Sequence, residues 1–346
     1  RSPANTCIRF DRHSRMRSAE TSIVGGGPAR AAAAQRRKNA GADVLVLDKE
    51  CFPRHKLCAG WITPEVVRDL QLDIDAYPHS FLNFRRLHWH LKGMRLPIPS
   101  LQHSIRRLEF DAWLLQRSGA EVVQHTVKDI RRDGEDFLID GSFRCRYLIG
   151  AGGTSCPVHR SVFHDALPRA RALQTVTLEL EFPYEWRDAD CHLWFFEHGL
   201  PGYSWYVPKA RGWLNVGVGA MAARLKQRGE NIWQHWQHLA SKLERRFDIR
   251  VPSDPSGYSY YVRGPLDVVR VGNAFLTGDA AGLATRDLCE GIGPAIRSGQ
   301  RAAGSILGGA AYALQGVTGA SLGGGLVSRW MDWAFTRGAS PATSTP

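Results

Sequence analysis

The chain has 346 residues, of which 43% are hydrophobic and 23% charged, and its formal net charge is +12. These proportions are those of an ordinary soluble globular protein. No apolar run reaches the roughly 18 residues that a membrane-spanning helix needs, so we expect a cytoplasmic protein that can still attach peripherally to a membrane. The positive charge favours an anionic partner. Basic residues are not clustered with aromatic ones beyond the first 15 residues, which argues against nucleic acid.

The cysteine and histidine patterns predict no metal site. Seven cysteines are odd in number, irregularly spaced and never arranged as C-x-x-C, so we expect reduced thiols rather than disulfides or zinc ligands. His88 and His90 alternate along a predicted strand and are interpreted as solvated. His235 and His238 lie largely off an apolar helical stripe and are interpreted as surface residues.

The first predicted elements form a βαβ unit. Thr21–Val24 is a short apolar strand, and a turn of three glycines and Pro28 follows it. Ala29–Arg37 is rich in strong helix formers. The apolar run Asp43–Asp48 then predicts a buried parallel strand.

The next segments mix helices and strands. Thr63 and Pro64 predict the start of a helix, and a second helix is predicted at Phe110–Gln116. Strands are predicted at 87–91, 121–130, 136–139 and 146–149.

The region from about 170 to 262 has a different character. Its aromatic and β-branched runs predict an antiparallel sheet, with strands at 176–182, 192–197, 203–207 and 213–218. A single apolar stripe predicts one helix, from Ile232 to Phe247. Beyond Val271, a strand at 274–277, a glycine turn and a helix at 293–307 return to the α/β pattern.

These elements predict an α/β fold, in which a Rossmann-like nucleotide-binding domain is built from separated segments and carries an inserted antiparallel β-sheet substrate domain. The expected nucleotide-binding segments are 21–80, 105–165 and 265–310, and the expected substrate-domain segments are 81–104 and 166–264. Residues 1–20 are expected to be extraneous or disordered, 311–337 to form a C-terminal helical segment, and 338–346 to be a disordered tail.

The sequence Gly25-x-Gly27-x-x-Arg30 lies between the first strand and the first helix. The first glycine permits a tight turn, and the second lets a pyrophosphate approach the helix N-terminus. Asp48, at the end of the next strand, can accept hydrogen bonds from an adenosine ribose. Arg30 stands where a third glycine is usual, so it either loosens the helix–strand packing or weakens binding.

A second candidate site is Gly278-Asp279, which follows a strand and precedes a helix. The aspartate can hold a ribityl hydroxyl, and the glycine leaves room for a cofactor chain. Asp279 alone would be interpreted as a helix N-cap. Its occurrence together with the glycine loop favours the cofactor interpretation.

The order of GGGPA, VLVLDK, FPRHKLCAG and GDAAGLATRDLCEGIGPAIRSG resembles the geranylgeranyl reductase-like flavoproteins. These are FAD-dependent oxidoreductases with a p-hydroxybenzoate hydroxylase-like fold, and the resemblance runs from about residue 21 to about residue 307. It implies that FAD is the cofactor. The residues implied to hold its ADP half are Gly25, Gly27, Ala29, Asp48 and Lys49.

The resemblance also implies roles at the other end of FAD. Arg107, with Arg106 as the alternative, would lie near the pyrophosphate or ribityl chain, and Gly278-Asp279 would contact the same portion. Gly291, Ile292 and Gly293 would begin a helix whose amides face the flavin N1–O2 edge, where a helix N-terminus stabilises negative charge.

The implied catalytic residues are Lys56, Cys58, Tyr203 and Trp205. Lys56 and Cys58 would lie beside the isoalloxazine ring, although Cys58 is equally well explained as a small buried thiol. Tyr203 and Trp205 would form an apolar wall over the flavin, or they pack in a core. Gly152 replaces an aspartate that many relatives use near the nicotinamide.

The resemblance predicts a reductase that transfers hydride from reduced FAD to a carbon–carbon double bond of an apolar, prenyl-type substrate. Its external electron donor would be NAD(P)H or ferredoxin. One alternative is a flavin monooxygenase of an apolar or aromatic substrate. Another is an FAD-binding protein with impaired catalysis, because Arg30 interrupts the glycine loop.

Overall fold

A computed structural model describes residues 7–9, 15–322 and 325–336. The strands are β1 (Ile8–Arg9), β2 (Arg17–Val24), β3 (Val44–Asp48), β4 (Trp61–Ile62), β5 (Phe81–Asn83), β6 (Arg86–Leu91), β7 (Met94–Pro99), β8 (His103–Ile105), β9 (Glu121–Gln124), β10 (Ile130–Asp133), β11 (Asp136–Ile139), β12 (Phe143–Gly150), β13 (Gln174–Pro183), β14 (Cys191–Phe195), β15 (Gly202–Lys209), β16 (Trp213–Met221), β17 (Ser256–Tyr261), β18 (Arg270–Val271) and β19 (Ala274–Leu276). The helices are α1 (Pro28–Asn39), α2 (Pro64–Asp69), α3 (Arg107–Ser118), α4 (Ala222–Gln227), α5 (Ile232–Phe247), α6 (Ile292–Gly308) and α7 (Leu326–Thr336).

The first sheet has the order β1-β9-β3-β2-β12-β11-β10, with β19 paired to β12 and β18 paired to β19. Its central strands β9, β3, β2, β12 and β19 are parallel. Every residue of β3 is buried, as expected for a parallel strand covered on both faces. β2, α1 and β3 form the βαβ unit that the sequence predicts.

The second sheet has the order β17-β13-β16-β15-β14-β6-β7. All of its pairs are antiparallel except β14 with β6. Helix α5 covers one face, where Trp236, Leu239 and Leu243 pack against Leu178 and Val216 of the strands. The opposite face is therefore available to line a site.

Two of the differences between predicted and observed boundaries change the description of the first sheet. The strand predicted at 121–130 is interrupted, because β9 ends at Gln124 and Ile130 begins a strand that pairs antiparallel with β11. Strand β2 begins at Arg17, so residues 17–20 are part of the sheet rather than disordered. The predicted tail at 338–346 lies outside the described residues.

The prediction that all cysteines are reduced is wrong for one pair. Cys7 and Cys51 form a disulfide, with their Cα atoms 5.6 Å apart and a sequence separation of 44. β1 pairs in parallel with β9, on the other side of which lies β3, and this pairing brings Cys7 to the segment after β3. Spacing alone could not predict a contact that sheet pairing creates.

The interpretation of three histidines is also wrong, because His88, His90 and His235 are buried. His88 bonds with Asp190, and His90 bonds with His192. Parallel pairing of β6 with β14 sets His88 opposite His192 and His90 opposite Trp194, which brings both bonded partners within reach. No group of three or more His, Cys, Asp or Glu side chains is arranged to hold a metal within the described ranges.

Helix α6 packs closely on helix α1, and Gly299 makes this possible. A Cβ atom at position 299 would overlap the carbonyl oxygen of Ala29, which belongs to the helix that follows the glycine loop. The packing of α6 therefore holds α1 in place. Among the described residues, no helix is both long and apolar enough to span a membrane.

We expect Gly299→Ala to lower the free energy of unfolding by about 1–3 kcal/mol, because an added methyl group must push two packed helices apart. Gly308→Ala is the matched control, since nothing lies within 4 Å of a Cβ there. It should leave stability unchanged or raise it slightly. Urea unfolding of both variants measures the difference, and equal stabilities would contradict this account of the packing.

Candidate functional site

A cavity of about 1020 Å³ lies between the first sheet and the uncovered face of the second. On the first sheet it lies at the carboxyl ends of β2 and β12, where Gly25 and Ala151 line it. The chain order of the parallel strands reverses between these two neighbours. Ligands of open α/β sheets bind at this kind of switch point.

The glycine loop lies against the loop that follows β12. Gly25 has a φ of +109°, and a Cβ there would overlap Gly152, so only glycine allows the two loops to touch. A Cβ at Gly27 would have no atom within 4 Å. Helix α1 begins at Pro28 without a side-chain cap. Its N-terminal amides at the cavity wall are suited to an anionic group.

Asp48 lines the same end of the cavity. One carboxylate oxygen, Oδ1, accepts a hydrogen bond from the Glu50 amide at 2.9 Å. The other, Oδ2, lies 3.7 Å from Nη1 of Arg30. Ala29 and Lys49 also line the cavity, so the residues predicted for the ADP half of a dinucleotide all border it.

Arg30 is completely buried behind this wall. Its Nη2 donates to the carbonyl of Gly26 at 3.1 Å, and its guanidinium lies over the Phe52 ring. Nε and Nη1 have no hydrogen-bond partner. Burial lowers the pKa of Arg30 to about 10, although Asp48 opposes the shift. The Arg30 guanidinium thus attracts the Asp48 carboxylate from the side opposite the cavity and competes with any ligand that would bond to it.

Gly278, Asp279, Gly291 and Ile292 line the cavity near the start of α6. Gly278 has a φ of +54°, and its amide donates to Ser298 at 2.9 Å. Gly293 is not part of the cavity wall. Its amide donates to Glu290 Oε1 at 2.6 Å, so this amide is already bonded and does not face a ligand as the sequence predicts.

The structure distinguishes the two candidate arginines. Arg107 lines the cavity and is held by a bidentate pair with Asp111 at 2.8 and 2.7 Å. Arg106 lies outside the cavity wall, donates to Glu181 at 2.8 Å and stacks over Trp213. Arg107 is therefore the one in position to contact a ligand.

Lys56 and Cys58 belong to a loop that borders the cavity. The Lys56 ammonium lies 3.1 Å from the centroid of the Tyr258 ring. Cys58 Sγ accepts a hydrogen bond from the Gly60 amide at 3.3 Å. The fully buried Lys209 donates to the carbonyls of Ala59 and Ile105, which ties this loop to the second sheet.

Tyr203 and Trp205 line the cavity from β15. The Tyr203 hydroxyl donates to the carbonyl of Leu288 at 2.6 Å, and the Trp205 indole donates to Asn215 at 2.7 Å. A Cβ at Gly217 would overlap the indole. Glycine on the neighbouring strand therefore lets the tryptophan lie flat against the sheet.

Sequence reasoning misses two cavity-lining carboxyl groups whose pKa is shifted, Glu179 on β13 and Glu290 before α6. Burial raises the pKa of each to about 7. The pattern of β13 contains a signal for Glu179, because Thr175, Thr177 and Glu179 share one face of an alternating strand. Nothing in the sequence shows that this face is buried.

The sequence matches no family model. It is 31% identical over 229 residues to the menaquinone reductase of Mycobacterium tuberculosis, which covers 59% of this chain and 56% of that protein. It is 26% identical over 298 residues to the geranylgeranyl diphosphate reductase of Rhodobacter capsulatus, covering 81% and 73%. The chain thus spans little more than half the length of the first of these relatives.

The structure of a geranylgeranyl bacteriochlorophyll reductase-like protein from Thermoplasma acidophilum superposes with a TM-score of 0.73 at 19% identity, covering 85% of this chain and 80% of that one. The chain resembles the geranylgeranyl reductase-like flavoproteins in sequence and in fold. The predicted α/β fold of FAD-dependent oxidoreductases is thereby confirmed. A flavin-dependent brominase shares the fold, with a TM-score of 0.66 at 20% identity and coverage of 85% and 81%.

We expect Glu290→Gln to gain stability relative to the unchanged protein as pH rises from about 4.5 to 7. The folded-state pKa of Glu290 is about 7 and the ordinary value is 4.5, so the unfolded chain loses its proton first and rising pH favours unfolding. Glutamine does not titrate. The relative gain should reach at most about 3 kcal/mol.

Glu65→Gln is the control for this measurement. Burial opposes the shift, but hydrogen bonds from its own amide, Thr63 and Arg68 lower the pKa of Glu65. The contribution of Glu65 to stability is complete above about pH 4.5, so the cost of Glu65→Gln should stay nearly constant from pH 4.5 to 7 and shrink only at lower pH. Chemical unfolding at several pH values tests both, and a pH-independent difference for Glu290→Gln would contradict the buried-carboxyl account.

Proposed function

We propose that this protein is an FAD-dependent reductase of carbon–carbon double bonds in prenyl-type chains. The observation that carries the proposal is that one cavity is bordered by the glycine loop, by Gly278-Asp279 and by the apolar wall of Tyr203 and Trp205. A dinucleotide and an apolar chain can therefore occupy the same space. FAD, when bound, supplies the hydride chemistry.

The residues present fit FAD. The touching loops at Gly25 and Gly152 leave no side chain between them, and the uncapped start of α1 is suited to the pyrophosphate. Asp48 would accept from the ribose, and Asp279 would hold the ribityl portion. Arg107 would contact the phosphates, with Asp111 fixing its orientation.

The remaining lining supports an apolar substrate. Pockets for such molecules are mostly hydrophobic and aromatic, and the second sheet and its neighbours contribute Leu87, Trp89, Leu193, Trp205, Val207, Met221 and Tyr260. The names of the relatives, menaquinone reductase and geranylgeranyl diphosphate reductase, agree with a polyprenyl chain. Lys56 and Cys58 would lie beside the reacting atoms.

The reaction requires an external electron donor, NAD(P)H or ferredoxin. Gly152 has no carboxylate that could contact a nicotinamide. Its presence favours an electron donor whose binding does not need a carboxylate at position 152. A lipid substrate would be reached through peripheral contact with a membrane surface.

Anaerobic single-turnover measurements test the function. The FAD-loaded protein is reduced chemically and mixed with a geranylgeranyl lipid in detergent. We expect the flavin absorbance to return and the lipid to gain two hydrogens by mass spectrometry. A fully saturated chain of equal length is the control. A lipid that remains unreduced would contradict the proposal.

The second candidate function, a flavin monooxygenase, is favoured by the shared fold of a probable FAD-dependent monooxygenase from Pseudomonas aeruginosa, with a TM-score of 0.65, 15% identity and coverage of 85% and 88%. The same reduced protein is therefore also mixed with labelled oxygen and substrate. Incorporation of label into the substrate would replace the reductase proposal with this one.

We expect Arg30→Gly to tighten FAD binding about tenfold, which corresponds to about 1.4 kcal/mol. Removal of the guanidinium frees Asp48 to accept from the ribose, and it eliminates two buried nitrogens without partners. Arg37→Gly is the matched control on the same helix, since Arg37 is buried and paired with Glu20 away from the cavity. Titration of the apoprotein with FAD measures the affinity of both variants. Weaker binding by Arg30→Gly would contradict the competition between Arg30 and the ribose for Asp48.

A further inference from the structure

Strand β13 presents different side chains to its two faces. Because side chains alternate along a strand, Leu178 packs with α5 in the core behind the sheet. Thr175, Thr177 and Glu179 instead border the cavity. Glu179 is only 3% exposed, so its carboxyl group is buried and yet faces the space that a substrate would fill.

Glu179 also contacts the loop that carries Cys58. The backbone N–H of Cys58 interacts with its carboxyl group and favours the ionised form. Residues 58 and 179 come from different parts of the chain, and they meet because Lys209 ties the loop to the sheet. The carboxyl group therefore lies beside the segment that we propose for the reacting atoms.

The charged groups around Glu179 come from each neighbouring element. The charges of Lys209 on β15 and Lys56 on the Cys58 loop lower the pKa of Glu179, and the charge of Glu181 on β13 raises it. Burial raises the pKa of Glu179 to about 7, and the two lysines only partly offset that effect. An acid with such a pKa is available in both protonation states near neutral pH, which general acid catalysis requires.

We propose that Glu179 donates the proton that completes reduction of the double bond. This inference rests on the proposed function. One alkene carbon accepts a hydride, and the π-electron pair of the double bond forms the second C–H bond with the proton from the Glu179 carboxyl group. The resulting carboxylate is stabilised by the Cys58 amide and the lysines, and water returns its proton.

Other acidic groups that line the cavity are less suited to this step. Glu290 Oε1 accepts from the amide at the start of α6, and the Tyr203 hydroxyl already donates to the carbonyl of Leu288. Burial raises the pKa of Tyr203 well above its usual value. The thiol of Cys58 is the closest competitor, since it belongs to the same loop.

Glu179→Gln tests the proposal in the FAD-loaded, chemically reduced protein under anaerobic conditions. We expect reoxidation by a geranylgeranyl lipid to slow about 100-fold or more, the usual contribution of a general acid. Reoxidation by oxygen needs no proton on a substrate carbon and should be unchanged. In the unsubstituted protein the lipid-dependent rate should fall above about pH 7, the value to which burial raises the pKa of Glu179, and this decline should be absent from the variant.

Glu185→Gln is the control, because it removes the same charge from an exposed position just beyond the end of β13 and outside the cavity wall. It should retain the lipid-dependent rate within a few-fold. Infrared titration of the carboxyl band, compared between the unsubstituted protein and Glu179→Gln, reports the protonation of Glu179 without turnover. A band that has already ionised at pH 5 would overturn the proposal.

The remaining outcomes separate the two proposals. If the unsubstituted protein reduces the lipid and Glu179→Gln does so equally fast, Glu179 is not the donor and the reductase function stands. If Cys58→Ala or Glu290→Gln, rather than Glu179→Gln, removes the step and its pH dependence, the donor is that residue. If the unsubstituted protein is never reoxidised by the lipid, the proposed function itself fails.

Discussion

The buried ammonium group of Lys209 joins the parts of the molecule on which the cavity depends. It is fully buried, and it donates to the carbonyls of Ala59 and Ile105 while Glu181 lies 4.0 Å away. A buried charge is costly unless it is paired and hydrogen-bonded. Lys209 therefore requires that the Cys58 loop, β8 and β15 stay together. The hydrogen bonds of Lys209 thus keep the Cys58 loop, which borders the cavity, next to the second sheet.

The two ends of the cavity carry different ionisable groups in different surroundings. At the glycine loop, Asp48 lines the cavity, and the buried Arg30 lies on the other side of its carboxylate. On the second sheet, burial raises the pKa of Glu179 to about 7, and Lys209, Lys56 and the Cys58 amide oppose this rise. One end is thus suited to hydrogen bonding with a polar cofactor. The other is suited to moving a proton next to an apolar chain.

Local sequence rules predict the helices and strands wherever residues close along the chain determine the secondary structure. The βαβ unit, the stripe of α5 and the strands β13 to β16 follow from periodicity and turn chemistry, and the structure has them near the predicted positions. The resemblance to geranylgeranyl reductase-like flavoproteins likewise depended on short ordered motifs. Of the residues named for the site, Gly293 and the alternative arginine Arg106 lie off the cavity wall.

Contacts between distant segments could not be predicted in this way. Pairing of β1 with β9 created the Cys7–Cys51 disulfide, and pairing of β6 with β14 buried His88 and His90. The loop-to-sheet contact made Glu179 a buried, cavity-facing acid, and the helix packing buried Arg30 against Asp48. The residues themselves therefore determine the elements and the cofactor-type motifs. Burial and partners, which set protonation and reactivity, depend on which surfaces the folded chain brings together, because desolvation acts on neighbours in space and not in sequence.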